Sequence, residues 1–307
     1  MNPVTPKRQP IAMSQNSNEN MELLRADTWY YLRAKLWHAW KIAGTLIFAL
    51  AAPVVLFLVP SWGDWLGAVA GAWVLAGRTV LAWVIERNVY KAVTIQEEFD
   101  VNVFDLEWNE ALAGPKAAPE DVHTAAMKIH KEKKLNKLKN WYADADSVPW
   151  PLNVVLCQRS SAVWGRREHY RYAHLVLALG ITWFVTGIIL FSVANVSLAD
   201  YLIIVFLPSQ PAFLDTIDLF RGHIGVAREK ERLEIQTTKL WNEGTKNLDS
   251  ITEEDCREVQ DATYRLRRSG IQIPQVVYNF LRKQDEDAMR AAVEKYVNSR
   301  SATTKGT

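Results

Sequence analysis

Ala39 to Ile85 reads AWKIAGTLIFALAAPVVLFLVPSWGDWLGAVAGAWVLAGRTVLAWVI. The run is almost continuously apolar and is broken once, at VPSWGDW, Val59 to Trp65. A helix crosses a bilayer with ~20 apolar residues, and each half is long enough. A second block, His174 to Phe220, repeats the design. LVLALGITWFVTGIILFSVA is a third span, NVSLAD a break, and YLIIVFLPSQPAFLDTIDLF a weaker fourth span. Pro208 and Pro211 predict a bend or interruption there, because proline removes a helix hydrogen bond. Helices buried in a soluble core are the alternative, disfavoured because three of the four runs are nearly free of polar residues. The expected fold class is an all-α membrane protein. Its four transmembrane helices, 36–59, 64–86, 174–195 and 199–220, pair in two hairpins. A mainly helical cytoplasmic domain is built from the middle segment, 87–172, and the C-terminal region, 221–300.

Across 307 residues the net charge is only +2, so bulk charge does not point to a nucleic-acid polymer as partner. The mean hydropathy is slightly negative, an average that hides two apolar blocks inside a polar chain. The 13 tryptophans favour a membrane-interface or stacking role. Trp37, Trp40, Trp62, Trp65 and Trp83 fall near span ends, as an aromatic belt would. Lys and Arg set the orientation. Neither occurs in the turns Pro60 to Asp64 and Asn195 to Asp200, whereas Arg33, Lys35, Lys41, Arg87, Lys91, Arg166, Arg167, Arg171, Arg221, Arg228 and Lys230 flank the other span ends. Both termini and the middle segment are therefore expected in the cytoplasm. The first 30 residues lack the apolar core of a signal peptide.

Residues 1–20, rich in Asn, Pro, Gln and Ser, are expected to be disordered, and so is the tail, 301–307. A cytoplasmic helix over 21–35 leads into the first span. A further helix is expected from Pro119, with Glu120 and Asp121 favourable in its first turn. Thr252 and Asp255 have the spacing of a helix start, with Gly270 as its stop. Pro274 opens a last helix. Cys157 and Cys256 lie far apart, and no zinc-type spacing is present. No metal or cofactor is expected. Neither a phosphate-binding loop nor a hydrolase motif occurs.

The stretch TIQEEFDVNVFDLEWN, Thr94 to Asn109, poses the functional question. Its carboxylates could form a metal site, but a single stretch shows no convergent geometry and no histidine lies nearby. The structural reading is that Phe99, Phe104, Leu106 and Trp108 dock on a cytoplasmic core. The carboxylates would then cap helices or pair with basic residues of the middle segment.

IQEEFDVNVFDLEWN, including Glu97, Glu98, Phe99, Asp100, Trp108 and Asn109, resembles a signature of the SMODS-associated four-transmembrane effectors. These are membrane effectors that work with bacterial cyclic-oligonucleotide synthases. The resemblance continues in KLKNWYADADSVPWPLNVVLCQRSS, Lys137 to Ser161, with Ala143 in place of the usual proline and Ser161 in place of the usual Asn. PSQPAFLD and VQDATYRLRRSGIQIPQVVYNFLR also fit. The likeness covers most of Met21 to Arg282. It implies a non-enzymatic effector of an anti-phage system, in the inner membrane. There it would be activated by a cyclic di- or trinucleotide from a cognate nucleotidyltransferase and would disrupt the bilayer, killing or arresting the infected cell. The alternatives are a transporter or channel for a small solute and a membrane-bound metal-dependent hydrolase.

A phosphodiester ligand calls for cations and aromatic faces. The candidates are Lys139, Asn140, Trp141 and Tyr142, then Gln158, Arg159 and Ser160. A packed turn at KNWY and a lipid-facing Arg159 are the competing readings. The basic run His130 to Lys139 reads as a solvated or membrane-facing helix face. Within the membrane, Arg78 and Asp215 fall at similar depth, roughly 21 to 24 Å from the outer side. They form a candidate gating pair, with snorkelling of Arg78 as the alternative. A lesion through four packed helices needs several chains or bilayer thinning, so a homo-oligomer is expected.

Overall fold

The computed structural model describes residues 8–194, 197–269 and 272–305. A short helix, α1 (Ile11–Ser14), precedes α2 (Asn18–Leu58), whose start is capped by the Ser17 hydroxyl accepting from the Asn20 N–H. A 3₁₀ turn, Pro60–Trp62, reverses the chain. The second long helix consists of α3 (Gly63–Ala76), a π turn (Gly77–Leu81) and α4 (Ala82–Phe104). It ends where Asp105 adopts a left-handed conformation, φ 55°. Three short helices follow, α5 (Glu110–Ala113), α6 (Pro119–Ala126) and α7 (Glu132–Asn136). The third long helix is α8 (Leu152–Val193). The fourth comprises α9 (Leu198–Tyr201), a π turn (Leu202–Phe206) and α10 (Leu207–Lys246). α11 (Glu253–Arg268) and α12 (Gln275–Lys305) complete the chain. No strand occurs among the described residues.

Length explains the architecture. α2 has 41 residues, roughly 60 Å at 1.5 Å per residue, about twice a bilayer's hydrocarbon thickness. Each long helix therefore has a lipid-facing part and an extramembrane part. In the most apolar stretch of α8 no residue is buried within the chain. Leu46, Ile47, Leu50 and Val54 of α2 and Leu179, Ile181 and Ile189 of α8 are exposed. Surface of that extent and composition suits acyl chains. The other ends of the same helices bury a conventional core. Leu24 of α2, Ile95, Phe99 and Phe104 of α4, and Leu152 and Leu156 of α8 are fully enclosed, with Cys256 and Val259 of α11 against them.

Several expectations are refined. The disorder expected over 1–20 does not hold for residues 11–20, which are folded and anchored: Ile11 and Gln15 are buried. Asp146 accepts the Ile11 and Ala12 N–H groups at 2.8 and 3.1 Å, and Gln15 pairs with both backbone groups of Tyr142. Polar composition was misleading because those side chains are satisfied by distant backbone. Residues 1–7 lie outside the described residues. At the other end α12 runs to Lys305, so the expected tail is helical through 305. The prolines do not interrupt the fourth helix. Pro211 lies inside α10, and the π turn just before it re-registers the hydrogen bonds. Pro119 starts α6, and Thr252 and Asp255 form a reciprocal capping box on α11. Asn195 of the second hairpin turn and the expected stop Gly270 lie outside the described residues.

Candidate functional site

Glu97 and Asp100 lie one helical turn apart on α4 and face α11, both almost fully buried. Glu97 accepts from Arg257 and, at 2.8 Å, from Gln260. Asp100 accepts from Arg267, from Gln260 at 3.0 Å and from the Tyr142 hydroxyl at 2.6 Å. Burial, with Asp100 next to it, pushes the Glu97 carboxyl above its ordinary range, and Arg257 opposes that shift. The arrangement is a clamp in which every carboxylate oxygen has a donor. For Glu97 and Asp100 the expected basic partners of the middle segment are replaced by arginines of α11, and Asp105 pairs with Arg8 at 2.7 Å. Glu98 does pair with a basic residue of the middle segment, Lys116, at 3.3 Å. Asn109 caps α5 through Leu112 N–H and donates to Asp261 at 2.8 Å. The Trp108 indole N–H donates to the Gly114 carbonyl at 3.0 Å.

The predicted ligand residues do not converge on one pocket. Tyr142 is enclosed between Phe99 and Phe104, its ring centroid 4.9 Å from that of Phe104, so its face is not free to stack on a base. Gln158 is buried and donates to the Cys256 carbonyl at 2.8 Å. Ser160 donates to its own helix at Leu156. These three side chains pair with α4, α8 and α11 in the core. Trp141 is half-buried against the core. Lys139 and Asn140 are exposed, and Asn140, at φ 52°, exchanges hydrogen bonds with Asn16. Most of the basic run His130 to Lys139 is solvated, with Leu138 turned into the core.

Arg159 alone among the seven opens onto a groove of about 630 Å³ between α8 and α10, lined also by Arg166, Glu231, Glu234, Thr238, Lys239, Glu243 and Lys246. Its Nε donates to Thr238 at 2.9 Å, its guanidinium lies 3.6 Å from Glu234, and it stacks 4.4 Å from the Tyr296 ring. Arg166 also pairs with Glu234, at 2.7 Å. In the membrane-spanning half, Arg78 stands 3.7 Å from both Asp215 and Asp218, and the Thr45 hydroxyl reaches Asp215 at 3.5 Å.

One layer escaped the sequence reading. Where the spans enter the extramembrane domain, His169 and His223 of neighbouring helices meet Nδ1 to Nδ1 at 2.8 Å. One nitrogen must donate and the other accept, so the two rings cannot both be charged in this contact. Burial lowers both pKa values, with Lys230 and the partner ring adding to it at His169 and His38 at His223. Nearby, Glu168 is pushed up to about 7 by burial, and burial brings Lys35 and Lys230 down to about 8. Arg167 and Arg171 flank the layer, 3.3 and 3.1 Å from the buried Asp285 of α12. Single histidines and lysines at span ends gave no signal of mutual contact. Packing of α8 against α10, with Lys35 of α2 beside them, brings them together.

Comparison with known proteins agrees with the sequence motifs. Residues 9–296 match the family model described as "SMODS-associating 4TM effector domain". A protein of Bacillus cereus strain VD146, described as "Probable CBASS effector molecule", is 31% identical over 285 residues, which is 89% of this chain and 93% of the relative. No solved structure matches.

Proposed function

Because the chain belongs to the family of SMODS-associating four-transmembrane effectors, we propose that it is switched on by a cyclic oligonucleotide and then disrupts the bacterial inner membrane in anti-phage defence. The observation that carries this reading is helix continuity. α8 bears Arg159 at one end and the third span at the other, and α10 joins Thr238 and Lys239 to the fourth span. A ligand that shifts α8 against α10 in the groove therefore shifts two spans without any hinge.

The groove chemistry suits the ligand. Arg159 and Arg166 share Glu234, and a phosphodiester could replace that carboxylate in a charge-assisted, bidentate contact. Lys246 and Lys239, the latter 3.9 Å from Glu243, add cations at the rim beside Glu231. On the positive-inside rule this domain and both termini would face the cytoplasm, where a cognate nucleotidyltransferase would release its product. The engagement of Glu97 and Asp100 by Arg257, Arg267, Gln260 and Tyr142 supports a non-catalytic role for them. Disruption is the work of several copies, since four packed helices leave no aqueous path.

Calorimetry of the full chain in detergent against a panel of cyclic di- and trinucleotides tests the reading. One member binds, and Arg159→Ala weakens it by about tenfold or more, the value of a charged hydrogen bond. Binding by no member overturns the function. Undiminished binding by Arg159→Ala moves the site out of the groove.

A further inference from the structure

We propose that a second cavity, between α2, the π turn Gly77–Leu81 and α10, holds the phosphate of an anionic phospholipid in the leaflet next to the extramembrane domain. The cavity, of about 450 Å³, is lined by Lys41, Thr45, Trp73, Arg78, Gln210 and Asp215, among others. Its donors outnumber its acceptors. Arg78 is 52% exposed and its two acidic neighbours are 3.7 Å away, too far for hydrogen bonds, so its guanidinium is only loosely engaged by them. Among the described residues Lys41 has no acidic partner, and its stem packs along Gly77, 3.5 Å from where a Cβ would stand. The buried Trp73 indole N–H also lacks an acceptor.

Depth selects the ligand. Lys41 lies roughly 27 Å along α2 from the hairpin turn at Val59, close to the far edge of a hydrocarbon layer of ~30 Å, where lipid phosphates begin. Arg78, roughly 21 Å from Asp64, reaches the same edge with its long side chain. Leu214 and Val80, both exposed, flank the site on the helices that form it and offer apolar surface to the acyl chains. Cationic pockets between spans at this level are suited to anionic headgroups. The π turn sets Arg78 out of α-helical register, and such turns recur at binding sites. A bound phosphate would draw Arg78 away from Asp215 and Asp218, so lipid and acid pair compete for one guanidinium.

Native mass spectrometry of the full chain in detergent, titrated with phosphatidylglycerol or phosphatidylcholine of the same acyl chains, provides the test. Phosphatidylglycerol is retained about fivefold or more over phosphatidylcholine, and Lys41→Gln and Arg78→Gln each lower its retention about fivefold, the worth of one cation at the interface. Lys134→Gln, an exposed lysine far along the chain, leaves it unchanged. The charge-keeping Lys41→Arg and Arg78→Lys preserve the preference, which keeps the test open should the neutral variants fail to fold. Equal retention of the two lipids overturns the proposal, as does full retention by a folded Lys41→Gln/Arg78→Gln double variant or loss of the preference in the charge-keeping pair. Displacement of phosphatidylglycerol by millimolar inorganic phosphate would reassign the cavity to a free anion and overturn the lipid assignment.

Discussion

Asp100 and Asp215 each face an arginine across packed helices, and the two contacts behave oppositely. Asp100 is wholly buried and accepts from Arg267, Gln260 and Tyr142. Asp215 shares a half-exposed Arg78 with Asp218 at charge-contact distance, without a hydrogen bond to that arginine. The first contact has one low-energy geometry and ties α4 to α11. The second leaves its arginine free to change partners. On the proposed activation, the first would carry a signal as a rigid body and the second would be the joint where it becomes a change in the spans.

The largest effect tests the rigid half of that contrast. Removing one partner of a buried, hydrogen-bonded ion pair costs about 3–5 kcal/mol, because the other charge stays behind unpaired. Asp100→Asn should lower the melting temperature in detergent by that equivalent, and Asp100→Asn/Arg267→Met should recover part of it. A change under about 1 kcal/mol in the single variant would mean that the clamp carries no weight.

The histidine layer between the two regions should show an intermediate effect, driven by pH. His169 and His223 have lowered pKa values, so their contribution is full above the unfolded value near 6.5 and is lost as pH falls below it. Glu168 works the other way. Its raised value, about 7, favours the folded state at low pH and loses that contribution as pH rises from 4.5 to 7. Thermal stability should therefore drop by about 1–3 kcal/mol on acidification from pH 6.5 to 4.5, because each tenfold weakening of proton binding on folding is worth about 1.4 kcal/mol. Glu168→Gln should steepen that drop and His169→Gln/His223→Gln should flatten it. A drop left unchanged by His169→Gln/His223→Gln would remove the layer from any account of stability.

The smallest change in stability is expected at the loose joint. Arg78→Leu or Asp215→Leu should shift stability by about 1 kcal/mol or less, yet each should impair liposome dye leakage triggered by the activating nucleotide or make it constitutive. The double variant should regain part of the normal response. Simple additivity would dissolve the pair and leave Arg78 as a snorkelling residue.

Much of the fold was legible because it rests on local rules. Thr252 with Asp255 and Pro119 at a helix start each need only their own neighbours. The candidate site was legible in pieces. The stretch Thr94 to Asn109 stood out by composition, and Arg159 by its cation near a span. Whether Tyr142 or Gln158 met a ligand or the core could not be read from either, since aromatic and amide groups serve both uses.

The sequence by itself determined the membrane spans, because a run of some twenty apolar residues has one favourable surrounding wherever it lies. Tertiary structure alone decided the partners of the polar groups. Asp100 and Arg267 are 167 positions apart, Glu97 and Arg257 are 160, and His169 and His223 are 54. Hydrogen bonds are short and directional. Among 36 cations and 34 carboxylates, only the packing of α4, α8, α10 and α11 brings these particular pairs within reach.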